Sequence, residues 1–284
     1  MAEQRVGVGD GVALVVRTWE PLHRPTVDAL LLHGLASTSH IWDLVGPKLA
    51  RRGVRAVAVD QRGHGRSSKP RHGYGFDRTR VDAATLIERL GLRRPVVTGH
   101  SWGANVALEL AVARPDLVRA AVLVDGGFVR MRDRFDWPSA RRAFAPPDIA
   151  GMSVEDFRAG MRAHLGNDLR VTPAIEAAVL QILHVDRQGR IRPRLSRANH
   201  LRILRALWGQ DPIALLRRVR VPTLVLAVRP RRSDYPNEFD RRAAAAQVRS
   251  IGGPVRLEWI EGIHDLPLQR PEAVVRRILA AARP

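Results

Sequence analysis

The pentapeptide Gly99-His100-Ser101-Trp102-Gly103 places the tightest limit on how this chain can fold. It follows the short apolar run Pro95-Val96-Val97-Thr98 and precedes Ala104-Asn105-Val106-Ala107-Leu108-Glu109-Leu110-Ala111, which reads as a helix with small residues toward a sheet, closing at Arg114-Pro115. A G-x-S-x-G pattern between a strand and a helix is a sharp turn that lifts the serine hydroxyl clear of the sheet. The turn brings backbone against backbone two residues either side of the serine. Gly99 and Gly103 meet that need because they have no Cβ.

The rest of the chain supplies a sheet for this turn. Apolar runs at Val12–Trp19, Val27–Leu32, Val54–Val59, Pro95–Thr98, Ala120–Val124, Thr223–Val228 and Val255–Ile260 alternate with helical patterns. That alternation predicts an α/β fold: a mostly parallel twisted sheet with helices on both faces. Most strands from the third onward are short and nearly all apolar, as strands buried on both faces should be. The segment before Val12 is expected to add an antiparallel edge strand.

Between Phe128 and Asp211 the alternation stops, and the sequence reads as helices and loops only. Ser153-Val154-Glu155-Asp156 carries a capping side chain and acids in a first turn. Thr172-Pro173 opens a second helix, with Ile175, Val179 and Ile182 at helical spacing. A third holds Leu201, Leu204 and Trp208, and Val185–Arg190 is a polar turn between them. This block is expected to be a helical cap. The expected division is a core of residues 1–128 and 213–284 with a cap at 129–212.

Composition excludes several function classes. With 284 residues and 45% hydrophobic content, the chain can bury one large core. It has no cysteine, hence no disulfide framework, thiolate metal site or cysteine nucleophile. No metal or organic cofactor is implied. No apolar stretch approaches the roughly 18 residues of a membrane span, and the N-terminus lacks a signal-peptide layout. The expected location is the cytoplasm. The net charge of +19 comes almost entirely from arginine, since lysine occurs only at positions 48 and 69. The arginines are scattered over predicted helix surfaces and loops rather than gathered in one stripe, which reads as a solvated surface and not a specific nucleic-acid interface. The expected partner is a small-molecule substrate. Nothing in the sequence fixes an oligomeric state.

Three further segments, together with the Ser101 turn, make the chain resemble the α/β-hydrolase superfamily, in its serine-nucleophile, capped form. His33-Gly34-Leu35-Ala36 follows the strand Val27–Leu32. Asp60-Gln61-Arg62-Gly63-His64-Gly65-Arg66-Ser67 follows Val54–Val59 and is similar to the family's D-x-R-G-x-G-x-S turn, in which Asp60 and Arg62 are expected to pair. Gly262-Ile263-His264-Asp265 follows the last strand. The resemblance covers roughly residues 10–128 and 213–284.

It implies Ser101 as nucleophile, His264 as general base, and the backbone N–H groups of Leu35 and Trp102 as the oxyanion hole. His33 and His100 are expected to hold loops. In family order the acid follows the strand Thr223–Val228. There the usual glycine and closely following acid are missing and Asp234 comes late, so Asp234 is favoured, with Asp125 after Val124 as the alternative. Trp102, Phe128 and Trp208 are expected to line an apolar substrate pocket, with Trp137, Phe144, Phe157 and Met161 as further contributors from the cap.

The implied reaction is hydrolysis of a carboxylic ester, thioester, lactone or amide of a small, largely apolar substrate through an acyl-enzyme on Ser101. The irregular acid loop leaves open a non-hydrolytic ligand-binding member of the same fold, or a cofactor-free perhydrolase or acyltransferase. Epoxide hydrolase and haloalkane dehalogenase readings are disfavoured, because those relatives carry aspartate, not serine, at the turn.

Overall fold

The computed structural model describes residues 1–166, 168–229 and 238–283, with side chains from residue 241 in the last stretch. Ten strands are present among them. They are β1 (Ala2–Gly9), β2 (Val12–Trp19), β3 (Val27–Leu32), β4 (Val54–Asp60), β5 (Val96–His100), β6 (Ala120–Val124), β7 (Leu183–Val185), β8 (Ile191–Pro193), β9 (Thr223–Arg229) and β10 (Val255–Glu261). Eight of them form one sheet in the order β1-β2-β4-β3-β5-β6-β9-β10. β1 and β2 pair antiparallel, as do β2 and β4; every pairing from β4 to β10 is parallel. The expected edge strand before Val12 is β1.

Side-chain alternation explains why the parallel strands are apolar throughout. In β3, Leu30 and Leu32 enter one core layer while Ala29 and Leu31 enter the other. β4 divides the same way, Val57 and Val59 against Ala56 and Ala58. Helices Phe76–Arg89 and Trp102–Ala113 cover the first face through Leu86, Ile87, Val106 and Leu110. Helix Pro271–Ala281 covers the second through Val274, Val275 and Ile278.

The segment between β6 and β9 contains helices Trp137–Ala143, Val154–Leu165, Pro173–Leu180 and Arg197–Gly209. The helix starts read from Ser153 and Thr172 are present: their hydroxyls accept from Asp156 N–H and Ile175 N–H. One feature differs from the all-helical expectation. β7 and β8 form an antiparallel hairpin, Leu183 opposite Pro193 and Val185 opposite Ile191. Its turn is the polar string Val185–Arg190, where the Asp186 carboxylate accepts from Gln188 N–H and Arg190 N–H, both at 2.9 Å. Three-residue strands are too short to display an alternation in sequence.

Both ends of this segment are fastened to the helix that follows Ser101. Asn105 Oδ1 accepts from Gly127 N–H at 3.2 Å, just after β6. Gln210, ahead of β9, takes a hydrogen bond from Asn105 Nδ2 and donates from Nε2 to Glu109 Oε1 at 2.8 Å.

The turn after β4 corrects a second expectation. Asp60 does not pair with Arg62. Its carboxylate accepts from Ser39 N–H at 2.8 Å and Arg66 N–H at 2.9 Å, tying two loops to the end of β4. A Cβ on Gly65 would lie 2.0 Å from Asp60 Oδ2, so only glycine fits there. Arg62 instead makes a two-pronged pair with Asp82 on helix Phe76–Arg89, Nε to Oδ2 at 2.5 Å and Nη2 to Oδ1 at 2.7 Å. Both side chains are nearly inaccessible, at 3% and 5%.

Removing one member of such a pair strands a buried charge. Arg78 Nε also reaches Asp82, at 3.3 Å, and limits the damage. Arg62→Met is expected to cost about 3 kcal/mol, at the low end for a broken buried pair. Arg62→Met with Asp82→Leu should recover most of that loss, as read by urea unfolding midpoints at constant m-value.

Candidate active site

Ser101 sits between β5 and its helix with φ at 54°, left-handed backbone that a serine adopts only under constraint. The surrounding backbone supplies the constraint. Ser101 N–H donates to Val124 O of β6, and Ser101 O accepts from Ala104 N–H, both at 2.9 Å. A Cβ on Gly99 would lie 2.1 Å from Gly103 O, and one on Gly103 would lie 2.4 Å from Leu32 O. The two glycines therefore let the helix start press onto the ends of β5 and β3. Gly126 does the same from β6: its Cβ would lie 2.2 Å from Ser101 O.

His264 comes three residues after β10, with Nε2 3.0 Å from Ser101 Oγ. Its Nδ1 is 2.6 Å from Asp125 Oδ2. A carboxylate only accepts, so Nδ1 carries the proton and donates to Asp125. Nε2 is left as the acceptor for the Ser101 hydroxyl. Asp125 follows directly on β6 with φ at 48°, a conformation aspartate tolerates better than most residues. Its other oxygen accepts from Val228 N–H at 2.9 Å and from Arg241 Nη2. The side chain is 1% exposed. Burial alone would push its pKa up; the His264 hydrogen bond and the Arg241 charge hold it well below the usual carboxylate range.

His264 itself is tuned upward. Burial pulls it down, but the hydrogen bond and charge of Asp125 outweigh that effect. His100 holds the loop that carries it: His100 Nε2–H donates to His264 O at 2.8 Å. Burial, reinforced by the neighbouring His264, pushes His100 down to about 4, so its ring is neutral. His33 has the loop role expected of it. Its Nδ1–H donates to Gly34 O at 2.8 Å and its Nε2 accepts from Gln61 N–H at 3.0 Å, spanning the ends of β3 and β4.

A cavity of about 210 Å³ opens over Ser101 and His264. Gly34, Leu35 and Ile41 line it on the core side, and Ala178, Val179 and Ile182 on the other. Leu35 N–H and Trp102 N–H have no protein acceptor among the described residues. Trp102 is the first residue of its helix, where an N–H has no partner one turn back.

The structure thus brings Ser101, His264 and Asp125 together, with Leu35 beside them. Asp234 lies outside the described residues. Of the aromatic side chains expected in the pocket, Phe157 lines a neighbouring cavity, whereas Trp102, Phe128 and Trp208 are elsewhere. The Trp102 ring is buried in the core against His64, 5.4 Å between centroids, because the residue that starts the helix turns its side chain back under the sheet end. Phe128 is buried beneath the Arg241 guanidinium, which lies 5.3 Å from its ring. Trp208 packs on Trp137 and donates from Nε1 to Phe135 O at 2.7 Å, inside the segment between β6 and β9. The apolar lining comes instead from the stripe Ile175-Val179-Ile182, whose helical spacing was the available signal: Ile175 is buried, and Val179 and Ile182 face the cavity.

A family model described as the alpha/beta hydrolase fold matches residues 30–174, just over half of the chain. The chain belongs to the alpha/beta hydrolase fold family. Among curated proteins, this alpha/beta hydrolase is similar to 2-(acetamidomethylene)succinate hydrolase of Mesorhizobium japonicum, with 40% identity over 34% of each chain. It is also similar to a non-heme chloroperoxidase of Streptomyces lividans, 38% identical over 42% of this chain and 43% of that one. These matches therefore span less than half the length of either relative. The crystal structure of E-2-(acetamidomethylene)succinate hydrolase superimposes over 98% of both chains with a TM-score of 0.78 and 25% identity. Among the described residues, no helix is long and apolar enough to cross a membrane.

The opposed effects on His264 are separable by titration. Followed by NMR against pH, His264 should titrate above the ordinary histidine value in the wild type. Asp125→Asn removes the two largest upward effects and leaves burial and the Arg241 charge against the weaker pull of Asp265, so its midpoint should fall below that value. His100 should stay neutral down to about pH 4 in the wild type.

Proposed function

We propose that this alpha/beta hydrolase is a serine hydrolase that cleaves a carboxylic ester of a small, largely apolar substrate, with thioesters, lactones and amides within reach of the same chemistry. The observation that carries the reading is the unbroken hydrogen-bond chain from Ser101 Oγ through His264 to Asp125, at the floor of a mostly apolar cavity.

A serine hydroxyl is a weak nucleophile at neutral pH. As Ser101 Oγ attacks the carbonyl carbon, His264 Nε2 takes its proton. Asp125 holds the imidazole in the required tautomer and stabilises the imidazolium. The carbonyl oxygen becomes an oxyanion, met by the N–H groups of Leu35 and Trp102. His264 returns the proton to the departing alcohol, leaving an acyl group on Ser101. Water, activated by the same imidazole, then releases the acid. Asp125 is the acid of this mechanism. Its salt-bridged Oδ1 keeps it ionised, while Oδ2 is free to serve His264. Residues 129–212 act as the cap over the site, and 1–128 with 213–284 as the core.

Incubation with a fluorophosphonate probe should label wild-type protein and not Ser101→Ala. Absence of labelling in the wild type would count against the reading. On an ester that the wild type turns over, Asp125→Asn should lower kcat by about 10⁴-fold, the loss typical when the imidazole is left in the wrong tautomer. The acidic limb of its residual kcat/KM profile should move to lower pH, following His264.

A further inference from the structure

A second cavity, of about 150 Å³, adjoins the one over Ser101. The two share Ala36, Ser37 and Ile182 as walls, so they are immediate neighbours. The remaining lining is mainly apolar: Pro147, Ile149, Phe157, Leu183 and Leu195. An apolar cavity of this size holds one benzene ring. The polar groups in its wall include His64 and His200, whose rings burial keeps below the ordinary histidine value and therefore neutral near pH 7.

One cation also stands in this wall. Arg194 lines the cavity. Its guanidinium has no ion pair among the described residues, and its Nε is buried without a hydrogen-bond partner. That sets it apart from Arg17, Arg55 and Arg62, each of which meets a carboxylate. Lys69 lies near enough that Arg194 adds to the effect of burial in lowering the lysine pKa. The Lys69 ammonium rests on two carbonyls, Gly65 O at 2.9 Å and Ser67 O at 3.0 Å, with no carboxylate partner among the described residues. Asp60, the acid that acts on Lys69, has both oxygens occupied by backbone N–H groups. Asp60 therefore acts on Lys69 from a distance, and neither Arg194 nor Lys69 has a carboxylate at ion-pairing distance among the described residues. A half-buried guanidinium without a counter-ion gains most from an anion that brings its own apolar body into the site.

We propose that this second cavity is a substrate subsite for a benzene-sized apolar group bearing a carboxylate, with Arg194 as the residue that selects the charge. The proposal rests on the hydrolase reading above. It assigns the substrate class as esters in which one half, acid or alcohol, is a carboxylated aromatic or alicyclic group.

The test measures kcat/KM on matched esters. The alcohol-side set is ethyl acetate, benzyl acetate and 4-(acetoxymethyl)benzoate. The acid-side set is methyl acetate, methyl phenylacetate and its para-carboxymethyl analogue. In at least one set the ring should raise kcat/KM tenfold or more, and the added carboxylate tenfold or more again. In Arg194→Met the carboxylated-to-neutral ratio should collapse toward one, and in Arg194→Lys most of it should survive. Because each ratio is taken within one variant, a loss of folded protein cancels. Ile149→Trp, which fills the subsite, should erase the preference for the ring. A wild-type ratio near one in both sets, or a ratio that persists in Arg194→Met, overturns the proposal. If no ester is turned over and Ser101 is not labelled, the hydrolase reading itself fails, and this proposal with it. Turnover of the small acetates without any ring or charge preference leaves the hydrolase reading standing and removes this one.

Discussion

A fully buried carboxylate sets the terms for the rest of the site. Asp125 is ionised where water does not reach it, and that state is tolerable only because both of its oxygens are met by donors. Val228 N–H and Arg241 satisfy one oxygen, and the His264 imidazole satisfies the other. Val228 N–H can reach it because β6 and β9 lie side by side, with β9 running past the end of β6. The sheet order is thus an electrostatic requirement as well as a packing one. The imidazole in turn is aimed at Ser101 by two unrelated attachments, its ring nitrogen on Asp125 and its backbone carbonyl on His100.

The backbone around Ser101 stores strain that the same neighbours hold in place. A left-handed serine costs on the order of 1–3 kcal/mol in isolation. Here β6 accepts its amide hydrogen, and three glycines remove the side chains that would push the turn open. The ends of β3, β5 and β6 meet the helix start at one point, which is why a turn of five residues could announce so much of the fold.

The parallel core was legible in the sequence because strands buried on both faces write long apolar runs, and Val12–Trp19, Val27–Leu32 and Ala120–Val124 have the same limits in chain and structure. Helix starts at Ser153 and Thr172 were legible because a capping hydroxyl is a local device. What escaped was everything decided across space. Asp125 and Asp234 were both candidates for the acid, and the sequence could not say that Asp125 would meet the imidazole of His264, 139 residues further on. Asp60 had an arginine two residues on, yet the structure spends its carboxylate on the amides of two loops and sends Arg62 to Asp82. Trp102, Phe128 and Trp208 are large and apolar, which made them candidates for a pocket, but size and hydrophobicity are equally the credentials of a core residue. Arg194 carried no signal at all among so many arginines; its place in the wall of the second cavity is what distinguishes it.

The anchoring of residues 129–212 has a consequence for how this molecule can change over evolutionary time. Gly127 at one stem and Gln210 at the other are fastened to neighbouring turns of a single helix, through Asn105 and Glu109. The segment leaves and rejoins the sheet through one doorway whose frame is already built. Whatever lies beyond that doorway closes a loop whose entropic cost grows only with the logarithm of its length. New segments can therefore be grafted, trimmed or exchanged there without renegotiating the scaffold beneath them.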